Sequence, residues 1–137
     1  MRKRTRAREY SLQVLYRMDI TTDNYEVSLN NLWQLNVEGE IEEEVKNFAS
    51  ELVKGVAENL ETIDAEIARY AANWQLKRMA VVDRNILRLG CFELMFREDI
   101  PPKVTINEAV ELAKKYSDPE AAKFVNGILD KIQSEKK

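Results

Sequence analysis

Residues 86–96 read Ile-Leu-Arg-Leu-Gly-Cys-Phe-Glu-Leu-Met-Phe, and their pattern decides the fold class. Ile86, Leu87, Leu89, Cys91, Phe92, Leu94, Met95 and Phe96 occupy nearly every side of a helix. A helix that is apolar all round is the buried centre of a bundle. Asp83 is placed to cap its start, and Pro101-Pro102 to stop it.

Outward from this centre the chain continues as helices. Downstream, Thr105-Ile-Asn-Glu108 has the capping-box pattern, with Thr105 as N-cap and Glu108 reaching back. Ser117-Asp118-Pro119-Glu120 restarts the chain, with serine or aspartate as cap and proline in the first turn. The last helix carries Phe124, Val125, Ile128, Leu129 and Ile132, and residues 134–137 form a frayed tail. Upstream, Ile41, Val45, Phe48, Leu52, Val56, Ile63, Ile67, Tyr70 and Trp74 keep helical spacing. They predict one helix of about 30 residues, ~45 Å long. Gly55 within it points to a close helix contact or a bend. A first helix is expected over residues 5–20 and a second over residues 26–35, capped by the Thr21-Thr-Asp-Asn24 stretch.

With four glycines, three prolines and no convincing alternating segment, the class is all-α. The expected architecture is two small subdomains of three to four helices, residues 1–70 and 71–137, sharing the long central helix. At 137 residues the chain is long enough to bury a core without staples.

Composition excludes several chemistries. With no histidine there is no imidazole base, catalytic triad or histidine metal ligand. One cysteine, Cys91, forms neither an internal disulfide nor a zinc site, and its apolar surroundings mark it as a core residue. No glycine-rich phosphate loop and no Walker or dinucleotide pattern is present, and no cofactor or metal is expected. No apolar run approaches a membrane span, and no apolar signal core follows the basic start, which points to the cytoplasm.

Charge is segregated. The net value of −3 conceals +5 over residues 1–17, −11 over residues 18–68 and +3 over residues 69–137. The basic start, Arg2-Lys-Arg-Thr-Arg-Ala-Arg8, suits phosphate because a guanidinium donates two parallel hydrogen bonds; a solvated tail is the alternative. Tyr10, Tyr16, Tyr116 and Phe124 are candidate stacking faces, though aromatics at helical spacing are more often core. Lys123-Phe124 puts a cation beside a ring, and Arg8 and Tyr16, about two turns apart, are expected on one helix face as a second such pair. Asp83, Arg84 and Arg88 read equally well as structural ion pairs.

Several blocks resemble the NusB family. They are Arg6-Ala-Arg-Glu9, Leu15-Tyr16, Leu52-Val-Lys-Gly-Val56, Val82-Asp-Arg-Asn-Ile-Leu-Arg88, Phe92-Glu-Leu94, Ile106-Asn-Glu-Ala-Val-Glu-Leu-Ala-Lys-Lys115 and Phe124-Val-Asn-Gly-Ile-Leu-Asp130. The resemblance implies an all-helical transcription antitermination factor that catalyses no reaction. Such a factor binds boxA, a short single-stranded RNA element, together with the ribosomal protein NusE. It joins an RNA polymerase complex with NusA and NusG. The resemblance carries phosphate contact onto Arg2, Lys3, Arg4, Arg6 and Arg8. It places Tyr16 at the RNA and NusE surface, Asp83 and Arg84 at the NusE contact, and Arg88, Lys123 and Phe124 near the RNA path. Many relatives have glutamate where this chain has the shorter Asp83. Monomer and homodimer both stay open. Two other readings compete: the NusB-like module of an rRNA methyltransferase, which requires a catalytic domain with a cofactor loop, and a helical adaptor with an incidental basic tail.

Overall fold

A computed structural model describes residues 2–35, 41–71 and 75–135; Trp74 and the Lys136-Lys137 end of the expected frayed tail lie outside them. Every regular element among the described residues is helical. The seven α-helices are α1 (Lys3–Thr21), α2 (Tyr25–Leu35), α3 (Glu43–Glu58), α4 (Leu60–Tyr70), α5 (Val81–Phe96), α6 (Pro102–Tyr116) and α7 (Pro119–Glu135). A 3-10 turn, Leu76–Arg78, precedes α5. None of these helices is long and apolar enough to cross a membrane, and no cluster of metal-ligating side chains occurs among the described residues.

The reading of α5 as the centre holds up to its last turn, where Met95 is half-buried and Phe96 is exposed. It packs against α1, α3, α4, α6 and α7. Ile86, Leu87, Leu89, Cys91 and Leu94 are all buried in the common core. α1, α2 and α3 pack together on one side, and α6 and α7 together on the other. α4 lies on α5 and α7.

The expected single long helix is two helices. Asn59 takes φ −119° and ψ 21°, outside helical geometry. Its side-chain Nδ2 donates to Gly55 O at 2.8 Å, closing α3, while its carbonyl accepts from Ile63 N at 2.9 Å and opens α4. A short amide that bonds its own backbone competes with the helical ladder, and here it divides a continuous apolar stripe.

Gly55 makes the close contact its position suggested. A Cβ added there would lie 2.1 Å from Phe92 Cζ, so α3 meets α5 only because this residue has no side chain. Two caps are as expected: Asn24 Oδ1 accepts from Val27 N at 2.9 Å, and Asp118 Oδ1 accepts from Ala121 N at 2.7 Å. Two are not. Asp83 lies in the first turn of α5, which starts at Val81 after Ala80. α6 starts at Pro102, a turn before Thr105, because proline at the first helical position has no N–H to leave unpaired.

Cys91 is fully buried, and burial pushes its thiol up to about 12, with Glu66 and Asp64 adding to the effect. At about pH 8 its thiolate fraction is roughly one in ten thousand. A thiol-labelling assay on native protein is expected to show no modification, with full reaction in denaturant. Rapid native labelling would contradict this burial.

Candidate nucleic-acid interface

The basic start is not a disordered tail: from Lys3 onward it is the first two turns of α1. The helical period then sorts its cations. Arg2, Lys3 and Arg4 are exposed, Arg6 is half-buried, and Arg8 is 2% exposed. Lys3 Nζ reaches Glu44 Oε2 at 2.8 Å and Glu42 Oε2 at 3.0 Å, and those bonds raise its pKa further above the ordinary lysine value. Arg6 Nη2 donates to the Tyr10 hydroxyl at 3.2 Å.

Arg8 corrects an expectation. It was assigned to phosphate, but it turns inward and binds Glu93 of α5 as a fork, Nε to Oε2 at 2.8 Å and Nη2 to Oε1 at 2.9 Å. Its Nη1 donates to Glu108 Oε1 at 3.0 Å. Thr105 donates to Glu93 Oε1 at 2.7 Å, and Thr5 to Glu108 Oε1 at 2.6 Å. Thr105 and Glu108, expected as a capping box, are instead members of a buried network joining α1, α5 and α6. Such a charge is tolerated inside only when it is paired and hydrogen-bonded, as here. Arg8 and Tyr16 also fail to share a face. Eight residues at about 100° each overshoot two turns by about 80°.

A second network joins α1, α4 and α5. Asp19 Oδ2 accepts from Arg84 Nε at 2.7 Å, Asn85 Nδ2 at 2.9 Å and Arg88 Nη1 at 3.0 Å. Arg88 also forks onto Asp64 at 2.8 and 3.0 Å. Partial burial works against the Asp19 carboxylate, yet the Arg84 and Asn85 hydrogen bonds hold its pKa below the usual range. Arg88, expected on the RNA path, is held in this structure by Asp64 and Asp19 through its Nε and both Nη atoms, with its side chain 12% exposed. Arg84 likewise gives its second bond to Leu76 O at 3.2 Å, which pins the 3-10 turn to α5.

Asp83, Lys123 and Phe124 do come together. They line one groove of about 650 Å³ with Arg78, Met79 and Asp118, between the 3-10 turn, the start of α5 and the start of α7. Asp83 Oδ1 is buried there without a hydrogen bond among the described residues. Lys123 is exposed and Phe124 half-buried against the core. Tyr16 is 40% exposed and lies on a different groove of about 330 Å³ between α1 and α2, beside Arg17, Ile20 and Leu35. One helical turn separates Tyr16 from Asp19, and Asp19 binds Arg84, the sequence neighbour of Asp83. Arg78 was not singled out from the sequence; its signal was a basic residue in a connector just ahead of an apolar helix.

The comparisons agree with this architecture. A profile of the NusB family matches residues 5–134. "Transcription antitermination protein NusB" of Thermodesulfovibrio yellowstonii is 43% identical, covering 97% of this chain and 93% of the relative. The protein of that description from Anaeromyxobacter dehalogenans is 48% identical over 96% and 91%. Among solved structures, T. maritima NusB superposes with a TM-score of 0.87 at 41% identity, covering 96% of this chain and 91% of that one. A structure of antitermination factors NusB and NusE in complex with dsRNA gives a TM-score of 0.84 at 34% identity, covering 98% of each chain.

Proposed function

The chain belongs to the NusB family, and we propose that it is a transcription antitermination factor that binds boxA-type single-stranded RNA together with NusE. The role is one of binding, with no reaction catalysed. In this reading the protein works in the cytoplasm within an RNA polymerase complex that includes NusA and NusG.

The observation that carries the proposal is the ordered display of Lys3, Arg4 and Arg6 on the first turns of α1, with Arg2 just before them at the N-cap. Fixed on a helix, these cations meet a phosphate backbone with less ordering cost than a flexible tail would pay. Lys123 supplies a further cation, and Tyr16 and Phe124 supply flat faces for unstacked bases. Asp83, whose Oδ1 is buried in the groove without a hydrogen bond among the described residues, is suited to a donor on NusE. Arg8, Arg84 and Arg88 hold the helices that display these groups.

Four neutralised phosphates on a single strand give a slope near −3 for log K against log salt, from about −0.7 per phosphate. Fluorescence anisotropy across a salt series is expected to show that slope. Alanine at Arg2, Lys3, Arg4 and Arg6 together should flatten it and weaken every sequence alike, with the melting temperature nearly unchanged. A salt-independent affinity for RNA would argue for the adaptor reading instead.

A further inference from the structure

Three guanidinium groups gather on one aromatic ring. Arg4 lies 4.3 Å from the Phe48 ring centroid, and Arg8 and Arg97 each lie at 5.4 Å. Arg8 is buried and bound to Glu93, as described. The other two are accessible, with side chains 52% and 18% exposed. Between them sits one carboxylate. Arg97 forks onto Asp99, Nε to Oδ1 and Nη2 to Oδ2, both at 2.9 Å. Arg4 Nη2 approaches the same Oδ2 at 3.9 Å. The remaining Arg97 nitrogen, Nη1, donates to Glu51 Oε1 at 2.8 Å.

A carboxylate held in such a fork offers the pair of acceptor oxygens that a phosphodiester offers through its non-bridging oxygens. The ring beneath orients the cations. Asp99 lies in the short connector between α5 and α6 and is half exposed, so it can leave the fork without opening the core. The adjacent Arg97 holds the Asp99 carboxyl down to about 2, so the mimic is charged at neutral pH. Lys3 stands in the same relation to Glu42 and Glu44.

We propose that Arg4 and Arg97, seated on the Phe48 ring, form a binding site for one backbone phosphate, and that the Asp99 carboxylate occupies this site until RNA displaces it. The inference rests on the RNA-binding reading above and extends it to Arg97, which the sequence did not single out. The acidic partners then set affinity: Lys3, Arg4 and Arg97 meet RNA only after their carboxylates are displaced.

Asp99→Asn keeps the shape and removes the charge. Its test is anisotropy titration of a boxA-like single strand and a scrambled strand of equal length, across a salt series. The expected result is binding about two- to fivefold tighter for both strands, the scale of an exposed ion pair, with a slope steeper by about 0.7. Glu61→Gln on α4 makes the same charge change and is expected to leave affinity nearly unchanged. Arg97→Lys keeps the charge but loses the fork, and is expected to weaken both strands about threefold. Unchanged or weaker binding by Asp99→Asn, with wild-type protein binding normally, overturns this proposal alone. Equal tightening by Glu61→Gln also overturns it, since net charge would then suffice. Absence of RNA binding in wild type and variants alike overturns the RNA-binding reading with it.

Discussion

Arg8→Ala is expected to lose about 3–5 kcal/mol of folding free energy, because it leaves Glu93 charged and desolvated inside the protein. For a chain of this size the melting temperature should fall by roughly 10–20 °C. Glu93 is 2% exposed, and with the arginine gone Thr105 is the one side chain among the described residues that still donates to it. Arg6→Ala, two residues away, removes an exposed-side cation held by one hydroxyl and should cost less than about 0.5 kcal/mol. The pair Arg8→Met with Glu93→Met should recover much of the single-variant loss, since a buried pair replaced by apolar groups of similar volume is often neutral. Chemical denaturation of the two singles and the double measures the coupling. Additive losses would mean that Arg8 and Glu93 act separately and that the network is not what joins α1 to α5.

Gly55→Ala carries the second large effect. A methyl group at that position meets three Phe92 ring carbons at 2.1, 2.3 and 2.8 Å. Phe92 also stacks on Phe96 with ring centroids 5.6 Å apart, which restricts where it can go. Overpacking of this kind costs about 1–3 kcal/mol or more, against a helix-propensity gain of up to about 1 kcal/mol. A net loss of about 2 kcal/mol is expected in denaturant titration. Phe92→Leu, destabilising by itself, should reduce that penalty in the double variant by making room. A stabilised Gly55→Ala protein would show that α3 and α5 do not approach at this point.

These two positions illustrate what the sequence made legible. Apolar periodicity identified α5 as the centre and located α1, α2, α6 and α7, since burial is a one-residue property repeated at a fixed spacing. Gly55 stood out because a glycine inside a helix needs a reason. Arg8 did not stand out. Residue type marks arginine as exposed, and only the partner 85 positions away explains its burial. The signal was in Glu93, an acid set among the apolar residues 89–96 of α5, which required a cation from elsewhere. The break at Asn59 was hidden for a related reason: the apolar stripe continues through it, and the capping bond to Gly55 O exists only in the folded backbone. Pro102 read as a stop although it begins a helix, because proline permits either and the following chain decides. For the interface, residue type identified the cations, but only folding separated those that face solvent (Arg2, Lys3, Arg4) from those that hold the helices together (Arg8, Arg84, Arg88).

The account stands on an RNA-binding face at the start of α1 that works jointly with NusE. A titration of a boxA-like single strand against a scrambled strand, with and without NusE, tests it most directly. The expected result is preference for the boxA-like strand by at least about tenfold, a difference of about 1.4 kcal/mol, appearing or growing when NusE is added. Equal affinity for both strands, unmoved by NusE, would contradict the assignment.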